Sequence, residues 1–298
     1  MKEKLKKYKH IKPVSYTLFF LFVFTLFLIM TFPGDVIKKR IIAEIESNTP
    51  YKADIQNVKV SPLLKVNMEG VRLSRANSVF LELDSLDLSP SPLSIFSDNP
   101  KVPFTAKLWG GEVSGSLRIN KTTGHVSEID ATLKSVRINS VPSLFSEEAD
   151  ESISLGGVID GKINLVMTPP ASGDIQFEIV GLKLENVKLK GITLPSLTDL
   201  TSMFKGTVEG DMTRIDQFSI AGADIDLDIT GTTPLPWEIQ NGGVIDIGYS
   251  LQMKGGQMAK YKGLLSPYLA TQRDGSLGGK ILGTVANPRF EKGSITRF

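Results

Sequence analysis

Asp224, Asp226 and Asp228 alternate with Ile225, Leu227 and Ile229 in this 298-residue chain. On a strand, a period of two puts the three acids on one face and the aliphatic residues on the other, a row that attracts a cation or a basic protein. A solvated face of a half-buried strand gives the same pattern. The row is therefore read as a candidate partner surface, with no metal assigned. Other groups offer catalysis less. His10 and His125 lie on opposite sides of a long apolar run, and a site at His125 would need Glu128 and Asp130 to converge on it, which alternating strand geometry does not favour. With no cysteine there is no disulfide, thiolate nucleophile or cysteine metal site. No glycine-rich phosphate-binding phrase opens a helix after a strand. Asn120-Lys121-Thr122 matches a glycosylation triplet, a short and weak signal. Trp109 and Trp237, beside Gly110 and Pro236, suit turns or core better than a carbohydrate platform. The chain is read as non-enzymatic, with no catalytic, cofactor-binding or metal-binding residue and no cofactor.

The elements that position the acidic row begin with an apolar run. Residues 14–32 carry no charge, and as a helix they reach about 28 Å, close to the roughly 30 Å hydrocarbon thickness of a bilayer. Six lysines and one glutamate precede them within residues 1–12, so the reading is a single-pass anchor with a cytoplasmic basic tail and an extracytoplasmic body. A cleaved signal fits less well, because 29–33 reads Ile-Met-Thr-Phe-Pro without an Ala-x-Ala-like site. The formal charge of +2 divides into +5 in that tail and −3 in the rest, so the body has no basic face for nucleic acid. The expected division is residues 1–12 tail, 13–34 anchor, 35–50 amphipathic helix and 51–298 β-rich domain. In the helix, Val36, Ile37, Ile41, Ile42 and Ile45 recur at helical spacing, and the helix either lies on a membrane or caps the first edge of the sheet.

From residue 53 the period becomes two, clearest where Val79, Leu81 and Leu83 oppose Glu82 and Asp84, with a phase shift at Ser85. Further strands are expected around 104–109, 112–119, 126–138, 153–167, 175–190, 208–215, 218–230, 244–253 and 280–285. Short helices are expected at 143–149 and 196–204, where Leu197, Leu200 and Phe204 would face together, and the segment 258–270 is expected to cover an apolar sheet surface. A glycine phrase recurs at Gly110-Gly111, Gly156-Gly157, Lys205-Gly206 and Gly242-Gly243. Its steps of 46, 49 and 37 residues are too unequal for a solenoid. Gly115 and Gly161 within it permit coiling, a bulge or close approach of another chain. The fold class is mainly β: an N-terminal transmembrane helix, then a long, strongly twisted or coiled open antiparallel sheet with a few short helices. If that sheet curls without closing, alternating residues such as Leu81, Leu83 and Ile163 line an apolar groove able to shield a phospholipid or other acyl chain.

The order of several phrases carries a resemblance. Phe32-Pro33 before the amphipathic helix, the glycine phrases, Leu194-Pro195-Ser196-Leu197, Gly222-Ala223-Asp224-Ile225, and Gly283-Thr284-Val285-Ala286-Asn287-Pro288-Arg289-Phe290 together resemble the type II secretion system protein N family over nearly the whole chain. The anchor, the first β units and the terminal phrase also resemble the wider AsmA and TamB group. The resemblance implies a component anchored in the bacterial inner membrane with a periplasmic β domain and no catalytic residues. It implies either an accessory or structural subunit of type II protein secretion, in contact with other secretion-system proteins, or a lipid-binding or lipid-transfer protein.

Overall fold

The computed structural model describes residues 11–30, 34–49, 51–61, 65–75, 78–91, 93–138, 154–186, 188–189, 192–235, 243–255, 258–265, 269–284 and 287–292. The helix expected at 143–149, together with His10, Trp237, Phe32-Pro33 and the basic residues of 1–9, lies outside them. The chain divides into two units, Met1–Ser97 and Asp98–Phe298.

The first unit begins with helix α1, Ile11–Met30. Its described side chains, residues 15–27, are all exposed. Among the described residues no helix is long and apolar enough to cross a membrane. This corrects the transmembrane helix in the expected fold, the contact with an inner membrane through 14–32, and the localisation that placed the N-terminus in the cytoplasm and the body in a periplasm. The length of the charge-free run and the lysines before it had suggested the span.

Helix α2, Gly34–Asn48, follows, and then three antiparallel strands in the order β1 (Lys52–Val60), β2 (Val66–Arg75), β3 (Ser78–Leu88). Ile37, Ile41 and Ile42 of α2 pack on Ile55, Val58, Met68 and Val71, which form the buried cluster of this unit. The apolar side of the sheet changes phase halfway along: the cross-strand row Ile55, Val71, Leu83 gives way to the row Val58, Met68, Leu86 without a change of register. Gly70, at φ 60°, sits between them. A left-handed residue inside β2 re-aims the following side chains, which accounts for the phase shift at Ser85. On the polar side Lys59 pairs with Glu69 at 2.9 Å and Arg72 with Glu82 at 2.8 Å.

In the second unit, strands β4 (Lys101–Leu108), β5 (Gly111–Ile119), β6 (Val126–Ile138), β7 (Ser154–Val166) and β8 (Ser172–Glu185) pair in sequence. A two-residue ladder, β9 (Lys188–Leu189) with β10 (Ile192–Thr193), stands apart. The main sheet continues through β11 (Leu197–Glu209), β12 (Met212–Ala221), β13 (Ile225–Pro234), β14 (Val244–Met253) and β16 (Leu277–Thr284), with the short β15 (Ala270–Thr271) and β17 (Asn287–Glu291) both pairing with β16. The arrangement is an open antiparallel sheet. Helix α3, Ala259–Leu265, is the helix of this unit among the described residues.

The expected helix at 196–204 is part of β11. Asp199 takes φ 55°, and the pairing of β11 with β8 is irregular from Leu197 to Ser202. That irregularity inserts an extra residue, so Leu197 and Leu200 both reach the buried side at a helix-like spacing of three. They cluster with Leu182, Ile220, Ile225 and Met258, and Met258, just before α3, is only 1% exposed. The late segment thus does cover part of the apolar surface.

Gly115 and Gly161 answer different needs. A Cβ on Gly115 would meet the Asp130 carbonyl and lie 2.8 Å from the Ala131 Cα, so β5 approaches β6 too closely for a side chain. A Cβ on Gly161 would meet the ring of its cross-strand neighbour Phe177. Overpacking of this kind costs about 1–3 kcal/mol. Gly115→Ala is therefore expected to lower the urea midpoint by that equivalent at unchanged slope; an unchanged midpoint would show that the two strands can move apart freely.

Candidate functional site

The acidic row sits where β13 begins. Its aliphatic partners fix its orientation: Ile225 is buried and Leu227 packs against the same cluster as Met258, which turns Asp226 and Asp228 to the opposite side of the sheet. Asp224 is outside the strand, in the turn from β12, where Gly222 N donates to Ile225 O at 2.9 Å and Lys254 N donates to Asp224 O at 2.9 Å. The three acids are therefore one strand pair and one turn residue.

Their charges are not equivalent. Lys254 Nζ lies 2.7 Å from Asp226 Oδ1 and also donates to Gly222 O at 3.2 Å. Oδ1 is closed off from solvent and receives no directed hydrogen bond, so the contact is an ion pair approached off the lone-pair direction. Asp226 is neutralised by a lysine 28 residues away in sequence. Asp228 is exposed, faces Ser219 and Ser250 across the two neighbouring strands, and has no ion pair among the described residues.

The three apolar candidates are not brought to one place. Leu81, opposite Leu73, and Leu83, opposite Val71, belong to the first unit, where Leu83 packs into the Ile55 cluster. Ile163 belongs to the second, between Ala131 and Ile175, and packs with Leu165, Val208 and Leu235. These are core contacts, and no lipid-binding apolar groove emerges from them. The lipid-binding and lipid-transfer function is corrected on this ground, since alternation shows that a face is apolar without showing what covers it.

Two features escaped the sequence reading. Phe177, Phe204 and Phe218 stand in direct register on β8, β11 and β12, with ring centroids 6.1 Å apart in each pair. Such pairs add about 0.5–1.5 kcal/mol each beyond burial and pin the register of the three strands. Gly161 and Gly206 leave room for the rings of Phe177 and Phe204. On the polar side, Thr207 Oγ1 donates to Asp216 Oδ2 at 2.6 Å, and Arg214 bridges Asp216 at 2.8 Å and Glu209 at 2.7 Å.

His125 is exposed at the β5–β6 turn, and its neighbour in the expected constellation, Glu128, is taken by Arg118 at 2.7 Å. Asn120 Oδ1 in that turn accepts from the amides of Thr122 and Thr123. Among the described residues no group of three or more His, Cys, Asp or Glu side chains is placed to hold a metal. A shallow depression of about 400 Å³ lies between β6, β7 and β8, lined by Arg137, Ile138, Gly157, Val180, Lys183 and Glu185. It holds both charge signs, with Ser154 in register with Glu185, on a mixed surface.

No family model, curated protein or solved structure matches the chain. The expected role as an inner-membrane-anchored component of type II secretion is corrected with that anchor, since no described helix is long and apolar enough to cross a membrane.

The Thr207 hydroxyl first, then Arg214, hold the Asp216 carboxyl below the usual carboxylate range. Because the folded value lies below the unfolded one, the stabilisation is present above the unfolded pKa and is lost as pH falls through the folded one. In Thr207→Val, Asp216 should titrate at higher pH by carboxyl NMR, and the stability that Asp216 loses on acidification should be smaller. An unmoved Asp216 titration would assign the shift to Arg214 alone.

Proposed function

We propose that the chain is a non-enzymatic protein-interaction module whose second unit offers the β13 surface, Asp228 with Asp224 beside it, to a basic segment of a partner protein. One observation carries this reading. Arg72–Glu82, Arg118–Glu128 and Lys59–Glu69 are paired at 2.7–2.9 Å and Asp226 is held by Lys254, whereas exposed Asp228 faces two serines, as exposed Asp130 faces Ser116 and Asn164. A carboxylate left out of the cross-strand pairing keeps its full attraction for an external cation, and such pairs act on encounter and register as much as on affinity.

The aliphatic backing of the row supports the same reading, because Ile225 and Leu227 anchor β13 in a buried cluster and give the acids a fixed platform. Asp226 contributes by holding Lys254 out of the way of its neighbours. Proteins captured in cells through the β13 surface supply the baits.

Each exposed ion pair contributes about 0.2–1 kcal/mol, so Asp224→Asn with Asp228→Asn should weaken a captured partner about 2- to 30-fold. Added salt should weaken the wild-type complex more than the variant complex. Surface plasmon resonance at two ionic strengths reads both effects; equal affinity of the variant and wild type would remove the β13 surface from the interaction.

A further inference from the structure

The outer edge of β1 is covered by a helix that takes the place of a neighbouring strand. Lys38 Nζ of α2 donates to Gln56 O and Glu46 Oε1 accepts from Ala53 N, both at 3.3 Å. Gly34 lies against Val58 O so closely that any side chain would collide with that carbonyl. Two side chains and a glycine thus occupy backbone positions that an adjoining strand would pair. Both bonds are longer than the usual 2.9–3.0 Å and are weak substitutes for a ladder.

We propose that α2 is a displaceable guard on this edge, and that the β1 edge is a self-association surface for a second copy of the chain. The sequence of β1 is complementary to itself. In an antiparallel pairing centred between Gln56 and Asn57, Ile55 of each copy opposes Val58 of the other, and Asp54 opposes Lys59. In the folded unit Ile55 and Val58 are both buried and Asp54 and Lys59 are both exposed, so this register matches apolar with apolar and joins opposite charges twice about one two-fold axis. An uncovered edge with that pattern is a template for strand addition. Against it stands the packing of Ile37, Ile41 and Ile42 on the β1 cluster, which α2 must give up. That packing keeps the guard in place.

The inference concerns the first unit and is independent of the β13 reading. The test uses the full chain carrying Lys38→Ala with Glu46→Ala, compared with wild type by light scattering and amide exchange. The expected result is a shift to twice the wild-type mass, with amides of residues 53–58 still protected. Adding Asp54→Lys, which sets like charges opposite each other, should abolish the shift, and adding Lys59→Asp to that should restore it. Gly34→Val, which drives α2 off Val58 O, should associate in the same way. Wild-type mass in both guard variants would overturn the proposal, as would association that Asp54→Lys leaves unchanged. Loss of fold in both would make α2 an indispensable part of the core and equally overturn it.

Discussion

A sheet with one apolar side must keep its register or lose its core, and the rest of this structure depends on that constraint. Sliding a strand by one residue would turn every buried side chain of that strand to the polar side. In the second unit the constraint is met by side chains in direct register: Phe177, Phe204 and Phe218 on one side, and charge pairs such as Arg118–Glu128 on the other. Where the backbone departs from regular pairing, at Asp199 or between Ile215 and Phe218, the irregularity brings the next apolar residue back to the buried side.

The same constraint governs the glycines. At Gly115 the neighbouring backbone leaves no room for a Cβ, and at Gly161 an aromatic ring occupies that room. Glycine usually weakens a strand, but in these two cases it permits a contact that a side chain would prevent. The first unit solves a different problem, an open edge, by laying an amphipathic helix along β1.

Much of the β architecture was legible because period two is a strong signal when one face is buried. The windows 112–119, 126–138 and 244–253 coincide with β5, β6 and β14. The helix expected at 196–204 shows the limit: a single left-handed residue changes a spacing of two into three, and local pattern cannot distinguish that from a helical turn. The acidic row was legible as a pattern, but its charge was not, because Lys254 reaches Asp226 only after β13 and β14 pair. The supposed groove failed for a related reason, since Leu83 and Ile163 find cover in clusters assembled from distant strands. The anchor rested on the length and flanking charge of one local segment, and among the described residues no helix has the length and apolarity it required.

Functionally, the account rests on the acids at the start of β13, where Asp226 is held by Lys254 while exposed Asp228 meets serines on both neighbouring strands. Site-specific photo-crosslinking in cells tests this most directly, with the photoreactive residue placed in turn at positions 228 and 163. The account predicts protein adducts from position 228 that salt suppresses, and none from the half-buried position 163, which packs against Leu165 and Val208. Adducts from 163 alone, or lipid adducts there with no protein captured at 228, would contradict it.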